Sequence, residues 1–233
     1  QLVAQSFYVT ITPFTTILLI PKIFRFIGRL KKLKQYICQE PEMSLSEKAL
    51  ESRSQPLLLV VMGVSGTGKS TLANEFARQS GFIYLDADSL HSENAIEQMS
   101  RGIPLTDGQR GPWIQRIYRQ LCEYQAQNKS CILAYSGLKQ QHRKVIFSAY
   151  RDRAGVLLHG EQGLIIERLA KRSDHFMSPQ LLGSQIAEME PFDQQVPLLK
   201  LDLAGSVEQL LLQMLSFTAS LENSQPCPSN STE

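Results

Sequence analysis

The run Gly63-Val64-Ser65-Gly66-Thr67-Gly68-Lys69-Ser70 fits the spacing G-x-x-x-x-G-K-[ST]. Glycines at these positions let successive backbone N–H groups converge on phosphate oxygens without obstruction by Cβ atoms. A helix opening at Lys69 adds the partial positive charge of its N-terminus. The Lys69 ammonium can reach β- and γ-phosphates, and the Ser70 hydroxyl can ligate Mg²⁺. Residues Gly63 to Ser70, continued by Thr71, are therefore the expected seat of ATP and Mg²⁺, with Lys69 also catalytic. Such a cradle serves switches and motors as well as transferases, so the phosphate acceptor must be read elsewhere.

Asp86 and Asp88 form the next chemical constellation, in Tyr84-Leu85-Asp86-Ala87-Asp88-Ser89-Leu90-His91. A strand continuing through both would point them to one face, just beyond its C-terminal end, where open α/β sheets bind ligands. Two carboxylates that close are unfavourable unless a cation or an acceptor hydroxyl lies between them. Asp86 is expected in the Mg²⁺ shell. Asp88 is expected to accept a hydrogen bond from the attacking hydroxyl and to take its proton. The same spacing equally suits a helix cap or a turn.

The elements that must hold these groups alternate along the chain. Strands are expected at 57–62, 82–85, 131–135, 155–159 and 198–203, the first a continuous apolar run typical of a strand buried on both faces. Helical patterns cover 69–79, 112–127, 139–149, 163–172, 179–188 and 207–217. Strands alternating with helices imply right-handed crossovers and a parallel sheet covered on both sides. The expectation is an α/β domain over 57–217.

Composition agrees. Hydrophobic residues are 42% and charged residues 20%, ordinary for a globular chain, and a formal charge of +2 provides no overall field for a nucleic-acid partner. The basic excess sits in residues 1–42, so the rest is mildly acidic. That segment is read as lying outside the domain. It is interrupted by Thr and Pro, which makes a poor membrane span, and it fits secretory or organelle signals badly. It is either a weak targeting segment or sequence upstream of a start at Met43. Residues 218–233, polar with two prolines, read as a disordered tail. Cys38, Cys122, Cys131 and Cys227 show no C-x-x-C spacing, and a reducing cytoplasmic setting fits them, with Cys131 a buried thiol.

The run 86–113, DADSLHSENAIEQMSRGIPLTDGQRGPW, resembles the acceptor region of the gluconokinase family. The matching residue types are Asp86, Asp88, His91, Asn94, Met99, Gly102, Pro104, Leu105, Asp107, Arg110, Pro112 and Trp113. Further matches fall at Ser136, Leu138, Lys139, Arg143, His175-Phe176-Met177, Leu181-Leu182, Ser184-Gln185 and Glu190. The resemblance implies a P-loop NTPase fold like the nucleoside monophosphate kinases and shikimate kinase, a five-stranded parallel sheet flanked by helices, with a mobile lid. It implies ATP-dependent phosphorylation of D-gluconate to 6-phospho-D-gluconate and suggests a homodimer. A sugar-acid carboxylate is best held by Arg, or by Lys with neutral donors. His91, Arg110, Lys139 and Arg143 are accordingly the expected clamp beside Asp88, and His175 joins them by its place in the family pattern.

In kinases that this chain resembles, a basic helix-to-loop segment closes over ATP. Arg168 or Arg172 would there offset charge on the transferring group, Arg168 with the nucleotide and Arg172 as the catalytic member. The chain differs from the family's usual residues at Ser92, Gln98, Tyr135, Gly137, Lys144 and Asp174. Gln98 and Lys144 are the positions through which another polyol acid, shikimate-like or a sugar acid, would be accommodated. A nucleotide-binding regulatory module and a membrane-tethered protein are the alternatives of a different kind. Intact Lys69, Ser70, Asp86 and Asp88 weigh against the first, and the second rests only on residues 1–42.

Overall fold

A computed structural model of the chain describes residues 55–170 and 181–222. Strand β1 (Leu57–Met62) is the centre of its sheet, and every residue of it is buried. The order β2-β3-β1-β4-β5 is parallel throughout. The remaining strands are β2 (Ile83–Asp86), β3 (Cys131–Ala134), β4 (Asp152–His159) and β5 (Leu198–Asp202).

Alternation along β1 divides the core into two layers. Leu57, Leu59 and Val61 face a cluster that includes Leu72 and Phe76 of helix α1 (Lys69–Ser80). Leu58, Val60 and Met62 face the opposite cluster. Each fully buried Leu contributes roughly 1.5–3 kcal/mol. With both faces covered, β1 cannot slip by one residue without exchanging its whole set of contacts. The loop that follows β1 is thus fixed in register.

Between β2 and β3 run a 3₁₀ turn (Ala87–Leu90), helix α2 (Glu93–Ser100) and helix α3 (Asp107–Ala126). Helix α2 was not foreseen. It is amphipathic but shallow, with Met99 its buried residue, and Ser92 caps it by accepting from the Ala95 N–H at 3.3 Å. Helix α3 starts at Asp107 rather than at Pro112. Its first turn is closed by a capping box in which Thr106 and Gln109 satisfy each other's backbone donors, leaving Pro112 inside the helix.

The later helices are α4 (Gln140–Phe147), α5 (Gln162–Ala170), α6 (Leu181–Glu188) and α7 (Val207–Glu222). Helix α7 continues past Phe217. Thr218, expected to open a disordered tail, is buried and donates to the Met214 carbonyl at 2.8 Å. Among the described residues no helix is long and apolar enough to cross a membrane.

The chain leaves β1 toward β2 on one side and leaves the adjacent β3 toward β4 on the other, so a crevice opens between the C-terminal ends of β1 and β3. The loop after β1, Asp86 at the end of β2, Asp88 just beyond it and Ser136 after β3 come together there.

Candidate active site

The loop from Gly63 to Gly68 turns tightly between β1 and α1. Gly66 has φ of 84°, and a Cβ there would lie 2.6 Å from Leu169 Cγ, so both backbone angle and space demand glycine. Gly68, at φ of 86°, is the N-cap of α1 and contributes no side-chain cap. The first N–H groups of α1 are thereby left to an anion. Thr67 Oγ1 and Lys69 Nζ both donate to the Val64 carbonyl, at 2.8 and 3.0 Å. Lys69 is folded back over the loop it would serve.

The carboxylate that ends β2 and the one in the turn beyond it take separate tasks. One oxygen of Asp86 caps the 3₁₀ turn by accepting from the Asp88 N–H at 3.0 Å. Its other oxygen accepts from Ser70 Oγ and from the Tyr84 hydroxyl, each at 2.9 Å. Asp86 is therefore both cap and partner of the loop serine. Burial and the neighbouring Asp86 carboxylate push the Tyr84 hydroxyl up to about 12, so it stays a donor. The Ser70 hydroxyl and the Asp86 carboxylate form an oxygen donor pair of the kind that holds Mg²⁺ through one or two protein groups plus phosphates and water. They fit that ion.

Asp88 turns the other way, into a cleft lined by Lys69, His91, Arg110, Trp113, Ser184 and Glu188, among others. The His91 ring stacks on Trp113 with centroids 4.1 Å apart, and the indole N–H donates to the Ala87 carbonyl at 2.7 Å. With its side chain only 3% exposed, His91 is driven down to about 4 by burial, and by Arg116 and Arg110 nearby. It is neutral near pH 7. Its Nε2, 3.9 Å from Asp88, meets that carboxylate as a neutral dipole. Arg110 reaches the cleft from the first turns of α3, between Asp107 and Glu188.

The clamp expected from sequence is only half assembled. Arg143, 3% exposed, is a structural brace and not a cleft residue. Its guanidinium donates to the carbonyls of Gly137 (2.6 Å), Leu138 (3.0 Å), Glu190 (3.1 Å) and Pro191, and lies over the Phe192 ring. Lys139 is likewise outside the residues that line the cleft. It is the N-cap of α4 and lies 3.7 Å from Glu190, whose other oxygen accepts from the Gln140 N–H. Arg172 and His175 lie outside the described residues.

Sequence reasoning missed the contribution of α6. Gln185 accepts from the Ser65 N–H at 2.7 Å, 120 residues away, while Ser184 and Glu188 line the acceptor cleft. The paired Ser184-Gln185 was the available signal. On the other side of the loop a cavity of about 240 Å³ is lined by Gly66, Gly68, Thr71, Leu72, Arg168 and Val207. There Arg168 donates to the Leu203 carbonyl at 3.0 Å. The two spaces are thus both walled by the loop, the cleft by Ser65 and the cavity by Gly66 to Gly68, with Lys69 lining the cleft. A separate cavity of about 250 Å³ beside Arg143 and Phe192 does not reach the loop.

A sequence family described as an AAA domain matches residues 58–191. The probable gluconokinase of Dictyostelium discoideum is 33% identical over 181 residues, covering 73% of this chain and 90% of that protein. The chain belongs to the gluconokinase family. The thermoresistant gluconokinase of Escherichia coli K12 is 34% identical over 152 residues, covering 65% of this chain and 87% of that protein. A gluconokinase from Sinorhizobium meliloti 1021 superposes with a TM-score of 0.64 at 34% identity, covering 73% of this chain and 97% of that one. An unliganded sugar kinase from a Janibacter species gives 0.67 at 34% identity, covering 71% and 98%. The P-loop kinase fold and the use of ATP follow from this membership.

The departures from the gluconokinase pattern fall mostly away from the cleft. Gln98 closes the loop into α3, donating to the Pro104 carbonyl at 2.9 Å and accepting from Gln109 at 2.8 Å. Lys144 faces the separate cavity near Arg143. Ser92 is the cap of α2 already described. Tyr135 is buried, tilted against Trp113. None of these four lines the acceptor cleft.

Proposed function

We propose that this protein transfers the γ-phosphoryl group of ATP to D-gluconate, giving 6-phospho-D-gluconate and ADP. The observation that carries the reading is the shared cleft of Lys69, Asp88, His91 and Arg110, next to the phosphate loop. Gluconate is an anion bearing a row of hydroxyls. Arg110 suits its carboxylate, and neutral His91 with Asp88 suits its hydroxyls. Gln98 and Lys144, the two departures through which another polyol acid would be accommodated, lie outside that cleft, which favours gluconate.

In the reaction the acceptor oxygen forms a bond to the γ-phosphorus while its proton passes to Asp88. The bond from phosphorus to the β–γ bridging oxygen breaks, leaving its electron pair on ADP. Lys69 offsets charge on the transferring group, and the backbone N–H groups of the loop hold the phosphates in line. Mg²⁺, held by Ser70 and Asp86, would supply charge neutralisation on the phosphates. Arg168 borders the nucleotide cavity, and Arg172 and His175 belong to the proposed lid. A cytoplasmic setting accords with the free thiols of Cys122 and Cys131, the latter raised to about 12 by burial. A homodimer is proposed on family grounds alone.

A coupled ADP-release assay with gluconate, other sugar acids, polyols, shikimate and nucleoside monophosphates tests the reading. Turnover confined to gluconate is expected. Faster turnover with a different acceptor would reject gluconate as the substrate.

A further inference from the structure

The acceptor cleft contains an acid of the protein's own. Glu188, the last residue of α6, lines the cleft, and its Oε2 lies 2.7 Å from Arg110 Nη2. The opposite arm of the guanidinium, Nη1, donates to Asp107 at 3.1 Å. These two contacts differ in kind. Asp107 sits three residues before Arg110 on α3, mostly outside the cleft, and makes an aligned hydrogen bond. Glu188 Oε2 is buried and makes no aligned hydrogen bond despite its proximity. Charge holds it there without the parallel geometry that makes Arg–carboxylate pairs strong.

We propose that Glu188 is a specificity-determining residue, whose carboxylate occupies the place on Arg110 that an acid acceptor's carboxylate must take. This rests on the reading of the cleft as the site of a sugar acid. Acceptor binding is then an exchange of one carboxylate for another. An anion able to align with Nη2 gains the hydrogen bond that Glu188 lacks, whereas a neutral polyol has nothing with which to displace it. Arg110 keeps its direction throughout, because Asp107 holds Nη1. The exchange is confined to side chains, since Gln185 pins α6 to the Ser65 N–H and Leu181 and Leu182 are buried. Part of the binding energy of gluconate is spent on displacing Glu188, so the site binds its substrate less tightly than Arg110 alone would allow.

The test is a double-mutant cycle on the full chain, with KM for gluconate and kcat measured for wild type, Glu188→Gln, Arg110→Gln and the double variant. Glu188→Gln is expected to lower KM by about two- to fivefold, the range of a partly exposed ion pair, and to move kcat less than KM. In the Arg110→Gln background the same change should leave KM where it was, as no competition remains. Glu188→Asp, with the carboxylate withdrawn by one methylene, should shift KM the same way by less. An unchanged or raised KM in Glu188→Gln, or a fall that persists without Arg110, overturns the inference. Absence of gluconate turnover in the wild type would instead overturn the acceptor assignment, and this inference with it.

Discussion

The Ser70 hydroxyl donates to Asp86 at 2.9 Å, joining the first turn of α1 to the end of β2. Whatever disturbs Asp86 therefore disturbs the loop serine as well. Asp86→Asn is expected to raise the Mg²⁺ concentration for half-maximal activity by about 10- to 100-fold, the usual scale when a metal site loses a supporting carboxylate. Titrating Mg²⁺ at saturating ATP reads this directly. An unchanged requirement would confine Asp86 to capping the 3₁₀ turn.

Asp88 is expected to behave differently, because its side chain faces the acceptor cleft. Asp88→Asn should lower kcat by about 10²- to 10⁴-fold, the usual contribution of a positioned proton acceptor. ATP affinity, followed by calorimetry, should be nearly preserved. Comparable losses in both would place Asp88 in nucleotide binding.

For Arg143 the expected readout is stability. Its guanidinium serves four main-chain carbonyls from a position 3% exposed. Arg143→Met strands those acceptors, and a loss of about 3 kcal/mol or more is expected in urea unfolding. If Arg143 instead gripped substrate, the variant would keep its unfolding midpoint and lose gluconate affinity alone.

His91 gives the fold an acid-sensitive limb. Its ordinary value near 6.5 falls to about 4 in the folded chain, where the buried ring stays neutral. As pH drops, the unfolded chain binds the proton first, so the folded state loses ground between about pH 6.5 and about pH 4. The loss amounts to about 3 kcal/mol. Above 6.5 the contribution is fully present. Urea midpoints across this range should decline in the wild type and flatten in His91→Phe, which keeps a ring against Trp113. Parallel slopes would assign the decline to other groups.

What the chain made legible was whatever is contiguous. The phosphate loop, the buried run of β1 and the two aspartates at the end of β2 each declare themselves within one short contiguous run. Less legible were groups whose role depends on remote main chain. Arg143 enters the expected clamp through the family resemblance, and its partners are carbonyls that no residue type advertises. Gln185 was hidden similarly, its partner being a backbone N–H 120 residues earlier. Pro112 suggested a helix start, yet the capping box at Thr106 fixes the start further upstream. Helix α2 is amphipathic but only eight residues long, too short a run for its period to stand out from the sequence around it.

Trp113 is the chain's single tryptophan, and it lines the acceptor cleft while stacked on His91. Indole emission from this molecule therefore originates at one place, beside the seat of the acceptor. The protein carries its own fluorophore there, tethered by its N–H to the Ala87 carbonyl and sensitive to the imidazole against its face. Filling the cleft changes the polarity around that ring before any phosphate moves, so arrival of the acceptor can be timed optically, apart from turnover and without a label.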